Sequence, residues 1–247
     1  MSLPGYWTEL LTGEARDWLV AGLVATLSVT AAGLAVATLV AVGLLSARIA
    51  PSRPLRLGAV GVIGGFRNTP LLVQLFFWYF AGYAALPQGL RDWLIESHPW
   101  AELPGGLSLL SPEFLTAAVG LGLFYGAFIA EELRAGLLAV PAGQEQAAHG
   151  QGLTSVQTLV HVLLPQALAN AWQPIVGQAL NLMKFSSLAS AIGLAELTYQ
   201  VRQIESVSAR GFEAMAAGTV LYLVIGLVMG RALGALAPAW RRPRRGS

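Results

Sequence analysis

The sequence predicts an all-α integral membrane protein with about five transmembrane helices. Three observations support this fold class: 55% of the 247 residues are hydrophobic, only 11% are charged, and the charged residues separate long uncharged windows. Soluble chains average about 25% charged residues. About 20 apolar residues suffice to cross a hydrocarbon core of roughly 30 Å. The windows predict spans at residues 18–46, 57–86, 112–136, 165–194 and 213–236.

The first three spans have boundaries that can be read directly from the chain. The first is uncharged from residue 18 to residue 47 and ends before Arg48. The second contains the triplet Asn68-Thr69-Pro70. Because proline lacks a backbone N–H and disfavours helix at the residue before it, this triplet predicts a broken helix. The third ends close to the pair Glu131-Glu132, which we expect near the cytoplasmic surface.

The fourth span begins inside an uncharged stretch, residues 146–183, that is too long for one crossing. Gly152 and Pro165 divide it. Gly152 suits a left-handed helix cap, and Pro165 suits the first turn of the next helix. We therefore expect a cytoplasmic loop at residues 137–164 with a short helix inside it, then the fourth and fifth spans, all within one domain covering residues 1–247.

The arginines predict the orientation, because positively charged short loops stay in the cytoplasm. Arg48, Arg53 and Arg56 follow the first span, and a basic tail follows the fifth: Arg241, Arg242, Arg244 and Arg245. An odd number of spans places both groups inside and the acidic N-terminus outside, with no signal cleavage expected. The loops at residues 87–111 and 198–212 then lie outside. We expect the basic tail to contact anionic lipid headgroups.

Several classes of function lack the residues they need. The chain has no cysteine and a single lysine, Lys184, which no glycine-rich phosphate-binding loop precedes. The three histidines have no metal-ligand spacing, and hydrolase motifs are absent. Outside the tail, the basic residues form no patch for nucleic acid. We expect no catalytic residue, no metal and no cofactor on this chain.

Two stretches carry a family resemblance. The first is residues 66–80, FRNTPLLVQLFFWYF; the second runs from Phe128-Ile129-Ala130-Glu131 through residues 143–153 and 163–167 to residues 181–188, NLMKFSSL. Both resemble the permease subunits of bacterial ATP-binding cassette importers for polar amino acids, which include the histidine, glutamine and glutamate/aspartate permeases. The resemblance extends from about residue 20 to residue 235.

The resemblance implies a type I importer transmembrane domain in the bacterial inner membrane. Its implied partners are a second permease subunit, a cytoplasmic ATPase dimer that binds ATP and Mg, an external solute-binding protein and an amino-acid substrate. It also implies a coupling helix that docks on the ATPase, at Glu145, Gln146, Ala147, Ala148, Gly152 and Pro165. Gln146 stands where the family has glutamate, and Glu145 lies one residue early. An ordinary interfacial helix is the alternative.

The substrate pathway is predicted from polar residues inside the spans. A half-helix beginning near Pro70 would point N–H groups at a solute carboxylate, with help from Asn68 and Thr69; a packed proline kink is the alternative. Further pathway residues are Gln74, Gln178, Asn181, Lys184, Phe185 and Ser187. Of these, residues 178, 181 and 185 share one helical face. Lys184 could instead snorkel or pair at a dimer interface.

We therefore predict the pore subunit of an ATP-driven amino-acid importer, for acidic, amide or a broad range of polar substrates. The family commonly has asparagine at Phe185, and some acidic members have arginine at Phe128. An ion-coupled secondary carrier is the alternative; it would show an internal repeat and an acidic relay, and neither is visible. A membrane enzyme or scaffold is a further alternative. The sequence leaves open the exact amino acid and whether the pore is a homodimer or a heterodimer.

Overall fold

The fold is described by a computed structural model over residues 13–237. Helices make up most of it. In chain order the elements are α1 Gly13–Ile49, α2 Arg53–Arg67, α3 Leu71–Phe77, α4 Gln88–Ile95, β1 Glu102–Leu103, β2 Leu107–Ser108, α5 Pro112–Leu138, α6 Ala142–Gly150, α7 Ser155–Thr158, α8 Leu164–Phe185, α9 Leu197–Ser208 and α10 Gly211–Ala235. The predicted lipid contacts of Arg241–Arg245 lie outside the described residues.

Three helices of this region are long and apolar enough to cross a membrane: α1, α5 and α10. Their bounds lie within a few residues of the predicted first, third and fifth spans. The pair α2 and α3, which a π-turn extends to Gly82, passes the same test jointly but is bent by 104°. The predicted break at residues 68–70 is therefore present, and the division into five spans stays a prediction.

The helix that contains the predicted fourth span begins earlier than Pro165. A capping box of Thr154 and Gln157 starts α7 at Ser155, and a π-turn over Leu159–Leu163 joins α7 to α8 without a break. Pro165 lacks an N–H and crowds the carbonyl four residues before it, and the wider π-turn lies directly ahead of it. At the other end, α8 stops at Phe185, and a 3₁₀ turn over Ser186–Ile192 leads to Gly193 with φ 92°.

The core lies where α1, α5 and α8 pack together. Its buried side chains include Val29, Leu121, Tyr125 and Leu182. Gly126 of α5 lets α1 approach closely, since a Cβ there would lie 2.7 Å from the Cβ of Val40. Gly136 likewise lies against the carbonyl of Ala167 on α8. These contacts fix α5 against both of its neighbours.

The predicted outer loop at residues 198–212 is mostly helix. Leu197, Val201 and Ile204 form the buried face of α9, which packs against α1 and α10. A loop was expected because this stretch is too polar for a span. A short helix needs only one apolar face to be stable against neighbours, so its mean polarity is no guide.

Glu196 is a fully buried carboxylate at the start of α9. It accepts hydrogen bonds from the backbone N–H groups of Thr198 and Tyr199, both at 2.9 Å, and from the Tyr222 hydroxyl at 2.6 Å. The N–H of Leu197 donates to Thr26 Oγ1 of α1 at 3.1 Å. Burial raises the pKa of the Glu196 carboxyl above its ordinary value, against the opposing effect of these hydrogen bonds. The cluster joins α1, α9 and α10.

Candidate functional site

The elbow between α2 and α3 contains the first predicted pathway residues. Asn68 Nδ2 donates to the Gly64 carbonyl at 2.9 Å, and Thr69 Oγ1 donates to the Gly65 carbonyl at 2.7 Å. Both donors therefore satisfy the last carbonyls of α2 in this structure. Pro70 precedes the first residue of α3, and no side chain caps the N–H groups of that first turn.

Gln74 holds the elbow from inside. Its side chain is buried, and Nε2 donates to the carbonyls of Phe66, at 2.9 Å, and Thr69, at 3.1 Å. These bonds cross the break and fix the angle between the two helices. A largely apolar cavity of about 440 Å³ opens beside it, between Val62 of α2 and Trp78. In this structure Gln74 thus supports the elbow.

The polar face predicted on α8 meets α5. Gln178 Nε2 donates to Glu132 Oε1 at 3.2 Å, and Asn181 lies half-buried about one turn further along. Lys184 and Phe185 are exposed at the end of the helix, where Ser187 Oγ donates to the Lys184 carbonyl at 2.8 Å. The structure therefore brings Gln178 into contact with a carboxylate that was not among the predicted pathway residues.

The neighbouring acids Glu131 and Glu132 have different surroundings. Glu131 pairs with Arg134 at 2.9 Å and with Arg48 of α1 at 3.4 Å. Within residues 13–237, none of the ion pairs includes Glu132. The sequence alone does not indicate that only Glu131 forms ion pairs in this region. The packing of α1, α5 and α8 determines which helix each of the two acids faces.

Arg67 reaches the same side of α5 from the end of α2. Its guanidinium carbon lies 5.0 Å from the centre of the Phe128 ring, a cation–π distance. Phe128 precedes Glu132 by four residues, so the two side chains share one face of the helix. Arg67 of the elbow and Gln178 of α8 thus contact α5 one turn apart on the same face, at Phe128 and at Glu132.

The predicted coupling segment forms α6, a short helix with most of its surface exposed. Glu145, Gln146 and Ala147 are exposed, and Ala148 is buried. The predicted cap is present: Gly152 has φ 83°, its N–H donates to the His149 carbonyl, and the N–H of Leu153 donates to the Ala148 carbonyl. This pair of bonds is a Schellman motif. It turns the chain into the α7–α8 helix, which contains Pro165.

Gln144 of α6 contacts the base of α8, accepting from Gln166 Nε2 at 3.4 Å. Glu145 lies 3.9 Å from His149 on the same helix. In the described part of the chain, no group of three His, Asp or Glu residues is arranged to hold a metal ion. A broken helix, a polar face inside an apolar bundle and an exposed short helix between long ones are the features expected of a membrane transport subunit.

The chain belongs to the family of binding-protein-dependent transport system inner membrane components, whose model matches residues 39–242. It is therefore a multi-pass permease subunit of an importer and is not an enzyme. Among curated proteins, it is 33% identical over 208 residues to the glutamate/aspartate import permease protein GltJ of Escherichia coli K12, covering 84% of this chain and 81% of GltJ.

Two further relatives come from other bacteria. The octopine transport system permease protein OccM of Rhizobium meliloti is 32% identical, with 92% of this chain and 89% of OccM covered. The probable glutamine permease protein GlnM of Bacillus subtilis is also 32% identical, with 83% of this chain and 84% of GlnM covered. The names of these relatives refer to three different substrates.

Solved structures give the same fold. A chain from an amino acid ABC transporter crystallised with histidines aligns with a TM-score of 0.70 at 27% identity, covering 90% of this chain and 94% of that chain. A chain of the inward-facing MetNI methionine transporter aligns with a TM-score of 0.62, covering 98% and 100%. At 22% identity, the second likeness concerns the fold alone. The type I importer fold predicted from the sequence is confirmed.

Proposed function

We propose that this chain forms one half of the pore of an ATP-driven importer for polar amino acids, with substrate passing along the face that contains Gln178 and Asn181. The relatives named for glutamate/aspartate, glutamine and octopine support a polar amino-acid substrate. A second permease subunit, identical or homologous, completes the pore. An external binding protein delivers the solute, and a cytoplasmic ATPase dimer binds ATP and Mg.

The observation that carries the ATP-driven mechanism is the geometry of α6. This helix is exposed over most of its surface, yet the Schellman motif at Gly152 and the contact between Gln144 and Gln166 hold it at the base of α7–α8. A groove on the ATPase can grip Glu145, Gln146 and Ala147 and move the long helix behind them. Different docking in two ATPase states is required, because equal binding to both would shift no equilibrium.

The pathway begins at the elbow and continues along α8. Gln178 and Asn181 offer amide groups to the solute, with Lys184, Phe185 and Ser187 at the end of α8 and just beyond it. The N–H groups of the first turn of α3, after Pro70, offer donors to a carboxylate; Asn68 and Thr69 fix the preceding helix end, and Gln74 sets the angle. The five spans are oriented with the N-terminus outside and the C-terminus in the cytoplasm.

The test is transport by the whole complex. Proteoliposomes that contain permease, ATPase and binding protein should accumulate a polar amino acid when ATP is enclosed, and should not do so on an ion gradient alone. Gly152→Val places a branched side chain at φ 83° and should uncouple ATP hydrolysis from uptake while the complex still assembles. Uptake driven by ions without the ATPase would overturn the proposal in favour of a secondary carrier.

A further inference from the structure

We infer that Glu132 and Arg67 are the charged contacts of the solute site: Glu132 takes the α-ammonium, and Arg67 takes the α-carboxylate, of an amino acid with an uncharged polar side chain. This inference rests on the proposed function and names the substrate class that the pathway accepts. It starts from the difference between two adjacent acids on α5.

Glu131 is already compensated, because Arg48 and Arg134 lie within 3.4 Å of its oxygens. Within residues 13–237 the partner of Glu132 is neutral, the Gln178 amide at 3.2 Å, and the carboxylate is half-buried between two helices of the bundle. A carboxylate removed from water without a cation is costly unless a positive group completes it. The α-ammonium of a passing amino acid supplies that group.

Arg67 supplies the opposite charge on the same side of α5. Its guanidinium lies over Phe128, which shares a helical face with Glu132, and it forms no ion pair with any acid in residues 13–237. Guanidinium groups bind carboxylates in a bidentate geometry. The two unpaired charges, one of each sign, match the two charged ends of a zwitterion.

Lys184, the cation of α8, lies six residues beyond Gln178 at the exposed end of the helix, so we place the side chain of the solute beside the amide of Gln178. The Phe128 ring lies beneath Arg67, so position 128 itself brings no cation to the site. The group that contacts Glu132 from α8 is the amide of Gln178, and Asn181 lies three residues further along that helix. A site with cancelling charges and amide walls favours a solute of zero net charge, such as glutamine, over glutamate or lysine.

The test compares ligand affinities of wild type and variants, measured on the purified permease–ATPase complex without binding protein. Radiolabelled glutamine is the probe. Two competitors remove one charged end each: 4-carbamoylbutanoate lacks the ammonium, and 4-aminobutanamide lacks the carboxylate. Wild type should bind each at least about tenfold more weakly than glutamine, because a charged hydrogen bond is lost. Glutamine should also bind more tightly than glutamate or lysine.

Glu132→Gln keeps the hydrogen bond to Gln178 and removes the charge. It should weaken glutamine binding at least about tenfold and leave 4-carbamoylbutanoate unchanged, so that discrimination at the ammonium disappears. Arg67→Gln should likewise weaken glutamine binding at least about tenfold and leave the binding of 4-aminobutanamide, which lacks the carboxylate, unchanged. A structural defect would weaken all ligands together and could not produce this crossed pattern. The matched control is Glu113→Gln, which removes a charge from the same helix where the partner is the Tyr79 hydroxyl.

Equal discrimination at the ammonium by wild type and Glu132→Gln would overturn the inference, as would the same loss in Glu113→Gln. Preference of the wild type for glutamate over glutamine would overturn the substrate class. The proposed function fails separately, if the complete wild-type complex in proteoliposomes transports none of the twenty amino acids on ATP. If the complex takes up glutamine on ATP, but Glu132→Gln and Arg67→Gln discriminate among the three ligands as wild type does, the proposed function stands and only this inference is wrong.

Discussion

The clusters around Glu196 and Glu132 both place a carboxylate among apolar helices, but their surroundings differ. Glu196 is fully buried, and three donors from α9 and α10 satisfy its oxygens. Glu132 is half-buried and has one amide partner. The first arrangement is complete among the described residues, whereas the second leaves acceptor positions for the ligand that we propose. The contrast distinguishes a polar group that stabilises the fold from our candidate for ligand binding.

The largest expected effect is on stability at Glu196. Glu196→Ala removes the acceptor for two N–H groups of α9 and leaves the Tyr222 hydroxyl without its shortest hydrogen bond. The free energy of unfolding should fall by about 3 kcal/mol, from a lost helix cap and newly unpaired buried groups. Thermal unfolding in detergent measures this, with Glu196→Gln as the control that keeps an oxygen acceptor. An equal Tm for wild type and the alanine variant would contradict the role assigned to Glu196.

A smaller loss is expected where α5 meets α8. Gly136→Ala places a Cβ against the Ala167 carbonyl and 2.9 Å from the Cβ of Ala171, which forces the two helices apart. A cost of about 2 kcal/mol follows from overpacking. The control is Gly58→Ala on α2, where nothing lies within 4 Å and the change should be neutral or slightly stabilising. Equal Tm shifts for both variants would show that the close approach is unimportant.

The two adjacent acids of α5 should respond differently to the same change. Glu131→Gln leaves Arg48 and Arg134 without a counter-charge and should lower the free energy of unfolding by about 1 kcal/mol. Glu132→Gln should leave it unchanged or raise it slightly, because the change removes a charge without a cation among residues 13–237 while the amide still accepts from Gln178. Comparing the Tm values of the two variants under one condition tests whether the two acids have different roles. A larger loss at Glu132 would assign it a structural role.

The smallest effect concerns pH. Because burial raises the pKa of Glu196, its protonated form favours the folded state. That contribution is fully present below the unfolded pKa of about 4.3 and is lost as the pH rises through the higher folded pKa. The Tm of wild type relative to Glu196→Gln, whose amide does not titrate, should therefore fall as the pH rises. A difference in Tm that stays constant with pH would contradict the raised pKa.

Sequence reasoning recovered the features that one stretch of chain determines by itself. The apolar windows predicted α1, α5 and α10 to within a few residues, Pro70 predicted the break, and Gly152 predicted the left-handed cap. Each depends on local length, backbone chemistry or conformational freedom. The same reasoning placed Pro165 in the first turn of α8 but did not indicate the π-turn that joins α8 to the short helix before it.

Contacts between distant segments could not be predicted. Nothing in the composition of α5 distinguishes Glu131 from Glu132, and only the packing of α1 and α8 turns one toward arginines and the other toward Gln178. The stacking of Arg67 on Phe128 likewise joins residues about sixty positions apart. The polarity of α9 concealed a helix because its apolar face, led by Leu197, is covered by neighbours. Such pairings follow from tertiary structure, which one sequence without relatives does not reveal.

The uninterrupted course of α7 through α8 has a mechanical consequence. From Ser155 to Phe185 the chain forms one continuous helical run about 45 Å long at roughly 1.5 Å per residue, with the π-turn Leu159–Leu163 and Pro174 inside it. If the docked ATPase pulls on the end next to α6, as we propose, a tilt of the run by a few degrees would displace its other end by several ångströms. Gln178 and Asn181 lie in the half farther from α6, where this displacement would be larger.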